Sequence, residues 1–261
     1  MAEEPHLLFE TRSAVAVLTF NRPSKYNSMS GQLLDGLERA LDDIERRSDV
    51  RALLICATGK HFCTGADIDI VLGCVADGEA AVERWLRRGQ HLFRRIEALP
   101  IPTVVSIQGL CLAGGLELML ACDIAFCSET ARFGDQHVNF GFLPAWGSSE
   151  RLPRLVGTRR ALDLMYSGRL LSSAEAREWG LVNAVIADDN LQSHAISYCE
   201  TLTTRSRSGL AAMKRMVREG ASVALEDAHQ RECMLAGRQL LSRDGAEGFE
   251  AFREKRKPVF A

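Results

Sequence analysis

Charge of one sign is what this chain of 261 residues most plainly lacks: 32 Lys and Arg face 34 Asp and Glu, a formal net of -2. No global field draws it to nucleic acid or to an anionic membrane surface, so an anionic ligand must be held by local groups. Aromatic residues are sparse at 7%, and the seven prolines are scattered. Eight cysteines form no C-x-x-C pair, and most sit inside apolar runs such as Leu110-Cys111-Leu112, which excludes a disulfide scaffold and reads as free buried thiols. The N-terminus, Met1-Ala2-Glu3-Glu4-Pro5-His6, has acid where a leader carries base and has no apolar stretch behind it, so a cytosolic location is expected. Only residues 109–127 approach the length of a membrane span. They contain Glu117, Asp123 and glycines and lack interfacial anchors, so they read as buried core.

Nucleotide loops are missing too. Neither G-x-x-x-x-G-K-[ST] nor a G-x-G-x-x-G after a strand occurs. His61, Cys63, Asp67 and Asp69 carry metal-capable atoms in no zinc spacing, so no metal is expected. Ser148, Ser149, His137 and Asp135 supply the atoms of a hydrolytic triad, yet the G-x-S-x-G elbow is absent.

What is present is an ordinary soluble composition, 46% hydrophobic and 25% charged, patterned as alternating strands and helices. Runs at 7–11 and 14–20 predict an antiparallel hairpin ended by Asn21-Arg22-Pro23. Leu33, Leu34, Leu37, Leu41 and Ile44 predict an amphipathic helix capped by Ser30. A buried strand at 50–57 and a loop at 60–68 follow. A helix at 79–98 carries Val82, Leu86, Phe93 and Ile96 on one face and is stopped by Pro100-Ile101-Pro102. Residues 103–107, 124–127 and 131–133 read as short strands, with a helix at 116–121 between the first two. Residues 134–147 form a shaped loop. Ser172-Ser173-Ala174-Glu175 is a capping box, and Asp244-Gly245-Ala246-Glu247 resembles one. An α/β body over 1–190 and a helical region over 191–261 follow from this pattern.

Chemistry concentrates at three places. Gly114-Gly115 precede an apolar helix, whose first amides are unpaired and partly positive, so this is either an anion or oxyanion site or a tight turn packed closely. Glu117 stands one turn into that helix among Leu116, Leu118, Met119 and Leu120; it is either paired with an arginine or at work. His137 lies in Phe133-Gly134-Asp135-Gln136-His137, either solvated or part of a site.

These signals stand in a fixed order: Asn21-Arg22-Pro23 with Lys25 and Asn27-Ser28-Met29; Phe62-Cys63-Thr64-Gly65-Ala66-Asp67-Ile68; Gly109 with Ala113-Gly114-Gly115-Leu116-Glu117-Leu118; and Cys122-Asp123-Ile124-Ala125. In that order the chain resembles the enoyl-CoA hydratase/isomerase family, the crotonase superfamily. Ala131-Arg132-Phe133-Gly134, Arg151-Leu152-Pro153 with Gly157, and Glu254-Lys255-Arg256-Lys257-Pro258 extend the similarity over almost the whole length.

The resemblance implies a crotonase-like α/β spiral of ββα units, with the helical C-terminal region serving trimerisation and covering the coenzyme pocket. It further implies a homotrimer or a dimer of trimers acting on acyl-coenzyme A thioesters, with no metal or redox cofactor and coenzyme A entering as part of the substrate. It places the oxyanion hole at the amides of Ala66 and Gly114, and the coenzyme against Lys25, Thr64, Ala66, Asp67 and Ile68. Glu117 falls on the first of the two glutamates of family hydratases. The second belongs at position 137, where this chain has His137, so Glu117 is expected as main acid/base and His137 as its auxiliary. Trp146, in Leu143-Pro144-Ala145-Trp146-Gly147, is expected to reshape the acyl pocket. Two other outcomes stay open: carbon–carbon bond hydrolysis of a β-dicarbonyl compound, and acyl-CoA binding with little turnover.

Overall fold

The computed structural model describes residues 4–260; residues 1–3 and 261, and with them half of the acidic N-terminal stretch 1–6, lie outside it. Strands β1 (Leu7–Arg12) and β2 (Val15–Phe20) form the expected antiparallel hairpin, turning at Ser13 with φ 54°. Helix α1 (Gly31–Arg46) starts where Ser30 Oγ accepts the Leu33 amide at 3.2 Å, and it buries Leu33, Leu34, Leu37, Leu41 and Ile44. Strand β3 (Ala52–Ala57) is buried along its whole length and pairs parallel with β2, as an unbroken apolar run between two covered faces must.

The rest of the chain winds on in repeated turns. After β3 come α2 (Ile68–Ala76), α3 (Glu79–Ala98), β4 (Thr103–Ile107), β5 (Leu110–Leu112), α4 (Gly114–Ala121), β6 (Ile124–Ser128) and β7 (Arg132–Gly134). Then follow α5 (Ser148–Val156), α6 (Thr158–Ser167), β8 (Leu171–Ser172), α7 (Ser173–Glu178) and β9 (Ala184–Ile186). The main sheet has the order β1-β2-β3-β4-β6-β9 and is parallel beyond the hairpin. A smaller sheet, β5-β7-β8, is extended by the pairing of Cys63 with Cys111. The turns that begin at β4 and β6 each lay a strand in the first sheet, a shorter one in the second, and then a helix.

Four helices end the described chain: α8 (Leu191–Thr203), α9 (Arg207–Gly220), α10 (Leu225–Leu240) and α11 (Arg243–Glu254). Helix α8 covers the outer face of the main sheet, where Leu191, Ala195 and Cys199 meet Val15, Val17, Leu54, Val104 and Phe126. The opposite face packs against α1, α3 and α4 in one larger core. No helix of the described residues is long and apolar enough to cross a membrane; residues 109–127 are instead β5, α4 and most of β6, buried at their centre.

Several sequence expectations need correction. Between the loop read at 60–68 and the helix read at 79–98, residues 68–76 form a further helix capped by Asp67, whose carboxylate accepts the Asp69 amide at 3.0 Å. Its apolar side chains Ile68, Leu72 and Val75 face outward, so no buried periodic face announced it. In α3 the buried stripe is Ala81, Trp85, Gly89, Leu92, Phe93 and Ile96, while Val82 and Leu86 are half-buried. The cap of α11 is Ser242, which accepts the Gly245 amide, rather than Asp244. The capping box at Ser172 and Glu175 forms as read. All eight cysteines are free thiols.

Candidate active site

Gly65 and Gly114 are where two backbone segments meet. A Cβ at Gly65, whose φ is +103°, would lie 3.1 Å from the Gly114 nitrogen, and one at Gly115 would lie 2.3 Å from the Cys63 carbonyl oxygen. The segments are stitched by Leu112 N–H donating to Cys63 C=O at 2.9 Å, and the second is tied to the end of β7 by Ala113 N–H donating to Gly134 C=O at 2.9 Å. Ala113 holds φ 45° and ψ -119°, a strained conformation for a residue with a Cβ, immediately before the first amide of α4. On the other segment, the ladder to Met29 runs through the Gly65 carbonyl and the Asp67 amide, so the Ala66 N–H turns away from Met29. Among the described residues neither Ala66 N–H nor Gly114 N–H donates a hydrogen bond.

Glu117 stands in the first turn of α4 at 1% exposure. Its Oε1 accepts the Trp146 amide at 2.7 Å and the Ser148 amide at 3.1 Å; the partners are main-chain groups, not the arginine that a purely structural role would call for. Its Oε2 is 4.0 Å from His137 Nε2, beyond a hydrogen bond and within the span one water can bridge. Burial pushes the Glu117 carboxyl above the ordinary glutamate value. The Ser148 amide, the His137 charge and the Trp146 amide act against that, and the charge of Asp135 acts with it.

His137 opens a 3₁₀ turn, His137–Phe140, set after Gln136 at φ 62°. Asn139 and Gln136 tie this turn to the Gly168 carbonyl through their side-chain amides, at 3.1 and 2.6 Å. His137 Nδ1 lies 2.8 Å from Asp135 Oδ1, and Ser148 Oγ–H donates to Asp135 Oδ2 at 2.6 Å. Burial alone would lower the His137 pKa, but the Asp135 hydrogen bond and charge, with the Glu117 charge, outweigh it, so the net shift is upward. Asp135 is 1% exposed; burial works to raise its pKa, and the bonds from His137 and Ser148 bring it below the usual value. The triad atoms noted in the sequence therefore do gather, with the carboxylate in the middle. Ser148 gives its proton to Asp135 and not to the imidazole, so the hydroxyl is not activated as a nucleophile.

The remaining expected residues lie around this centre. Trp146 is 3% exposed, its ring wedged against Gly89 and Gly114, edge-on to Phe93 at 5.4 Å, with its Nε1–H on the Leu86 carbonyl. Asp67, already the cap of α2, is also ion-paired with Arg22, which donates to Ser28 Oγ as well. Thr64 is half-buried and Ile68 exposed. Lys25 is exposed, its Nζ 4.0 Å from Asp69 Oδ2. His61 accepts the Leu110 amide and stacks on Tyr26, and no group of three His, Cys, Asp or Glu gathers into a metal-holding cluster among the described residues. Asp135 and Ser148 as supports of His137, and Arg22 as a support of the 64–68 loop, were not singled out in those roles. The D-x-H spacing was the available signal for the first.

Set beside known proteins, residues 10–261 match the family model "Enoyl-CoA hydratase/isomerase". The chain is 35% identical over 247 residues, 94% of its length and 95% of the other's, to a protein of Bacillus subtilis (strain 168) named "Probable enoyl-CoA hydratase". It is 32% identical, over 93% of this chain and 91% of the other, to "Enoyl-CoA isomerase/hydratase fer4" of Mycosarcoma maydis. The solved structure of an enoyl-CoA hydratase from Bacillus anthracis superposes with a TM-score of 0.93 over 98% of both chains at 31% identity.

Proposed function

The chain belongs to the enoyl-CoA hydratase/isomerase family and has its crotonase-type fold, and from that premise we propose that it adds water across the conjugated double bond of an enoyl-coenzyme A thioester. The observation that carries this reading is the approach of Glu117 Oε2 to His137 Nε2, beside two amides with no partner. In the proposed mechanism the Ala66 and Gly114 amides hold the thioester oxygen as it becomes anionic, each contributing about 2.7–4 kcal/mol to the transition state. Glu117, fixed through Oε1, takes a proton from water with Oε2 as the water oxygen bonds to the β-carbon. His137, its Nδ1–H turned to Asp135 and its protonated form favoured by Asp135 and Glu117, gives the Nε2 proton to the α-carbon of the enolate. General acid–base help of this kind is worth roughly 10²–10⁴-fold. The coenzyme would lie along Lys25, Thr64, Asp67 and Ile68, with Arg22 bracing Asp67, and Trp146 would bound the acyl pocket from the side of α3. Assembly as a trimer or pair of trimers is part of the same proposal.

The Asp135–His137 pair favours one second reading, hydrolysis of a carbon–carbon bond in a β-dicarbonyl compound, in which His137 activates water. Product analysis with crotonyl-CoA, longer enoyl thioesters and a set of β-diketones separates the two. The hydration reading expects 3-hydroxyacyl-CoA and untouched diketones. Diketone cleavage with inert thioesters would replace it, and saturable thioester binding with no product from any substrate would leave only a binder.

A further inference from the structure

Behind Glu117 lies a chain of charged contacts that the proposed chemistry does not use directly. The Trp146 residue that donates its N–H to Glu117 accepts, on its carbonyl, a bond of 2.9 Å from Arg151 Nη1. The next residue, Gly147, has φ +119°, and a Cβ there would fall 1.8 Å from that same Nη1, so the strand of backbone bearing both Glu117 donors is wrapped on the guanidinium. Arg151 grips Glu97 with its other edge, Nη2 to Oε2 at 2.8 Å and Nε to Oε1 at 3.3 Å. Glu97 is shared with Arg218 of α9, which also donates to the Ala121 carbonyl at 3.3 Å and to Asp123 Oδ1 at 2.7 Å. Those last acceptors close α4, the helix that begins with Gly114 and carries Glu117. Lys214, also of α9, completes the grip on Asp123 at 2.8 Å.

We infer that Arg151 is a positioning residue for Glu117, and that Arg218 lets helix α9 of the C-terminal region hold both ends of the Glu117 environment, the 146–148 amides and the α4 C-terminus. The forked geometry explains the residue type: the planar guanidinium holds the Glu97 carboxylate through two N–H groups while a third reaches the Trp146 carbonyl in a fixed direction, a rigid fork that an ammonium lacks. A misplacement of about 1 Å at a reacting group costs roughly 10²-fold in rate, so loss of the anchor should register in kcat. Releasing Trp146 also weakens an amide bond that favours the Glu117 carboxylate. The groups facing that carboxylate are His137 and Asp135 from the 134–140 segment and the two amides from the 146–148 segment.

The inference rests on the hydration reading, so the test has one readout that needs no turnover. In Arg151→Ala, kcat for crotonyl-CoA should fall roughly 10²-fold with KM changed by about twofold or less. The acidic limb of the kcat/KM profile should move to higher pH, and millimolar guanidinium should restore part of the rate. Arg218→Gln should give a smaller loss that does not add to the first. The Glu117 carboxyl resonance of ¹³C-glutamate-labelled protein should titrate at higher pH in Arg151→Ala than in wild type. Should the wild type hydrate no thioester, the reading of the site fails while this titration still decides the coupling. A folded Arg151→Ala protein with unchanged rate and unchanged Glu117 titration, or a loss that follows melting temperature alone and ignores guanidinium, overturns the inference.

Discussion

Glu117 and His137 each carry a competing pair of forces, and the site's pH behaviour follows from which force wins. Glu117 is raised by burial, so its carboxylate is lost as pH falls through a value above the ordinary glutamate value, which under the proposed mechanism sets the acidic limb. His137 is raised because Asp135 and Glu117 outweigh its burial, so its proton is lost only as pH climbs through a value above 6.5, which under the proposed mechanism sets the alkaline limb. Replacing Asp135 with Asn removes the largest stabiliser of the imidazolium. The alkaline limb of the kcat/KM profile should then move to lower pH, while His137→Gln should abolish it; an alkaline limb unmoved in Asp135→Asn would take His137 out of the acid role. Much of this was legible at the level of residue types: a carboxylate among leucines and a histidine two residues after an aspartate both ask for partners. The sequence could not show that Glu117's partners would be the amides of Trp146 and Ser148, because those lie some thirty positions away and carry no side-chain signature.

Among the elements, α4 matters most, since its first amide and its first-turn carboxylate both belong to the proposed site. Its glycine is there for space. A Cβ at Gly114 would sit 2.7 Å from Trp146 Cζ3, in a ring held by Phe93, Trp85 and the Leu86 carbonyl, and 3.3 Å from the Gly65 Cα. Gly73, inside α2, has nothing within 4 Å of the same position. Thermal denaturation should therefore separate two identical substitutions: Gly114→Ala should cost about 1–3 kcal/mol by overpacking. Gly73→Ala should gain about 0.4–1 kcal/mol, since a helical glycine gives up more freedom on folding than alanine. Equal effects would mean that Gly114 is not packed as described. Elements with strong periodicity or explicit caps, α1 from Ser30 and α7 from Ser172, could be read in advance. Helix α2 could not, because its apolar face is turned outward, and the two- and three-residue strands β8 and β9 are too short for a periodic pattern.

At the scale of the whole molecule, the spiral sets the strands of two sheets in successive turns, and the site forms where the loop after β3, the start of α4 and the segment after β7 come together. The order of motifs revealed this architecture, while the 4.0 Å approach of Glu117 and His137 is a product of the winding. Helices α9, α10 and α11, with Leu241 at the end of α10, leave Met213, Val217, Leu225, Leu240, Leu241 and Phe252 exposed, apolar area that the proposed trimer would have reason to cover. Sedimentation equilibrium should give three or six times the chain mass; a single-chain mass at micromolar concentration would refute that assembly. The claim on which the mechanism depends is tested most directly by the ultraviolet absorbance of a conjugated enoyl thioester mixed with wild type and with Glu117→Gln. The wild type should bleach it as the double bond takes up water, and Glu117→Gln should do so at least 10²-fold more slowly while binding the thioester as tightly. Equal bleaching by both proteins, or none by either, would contradict it.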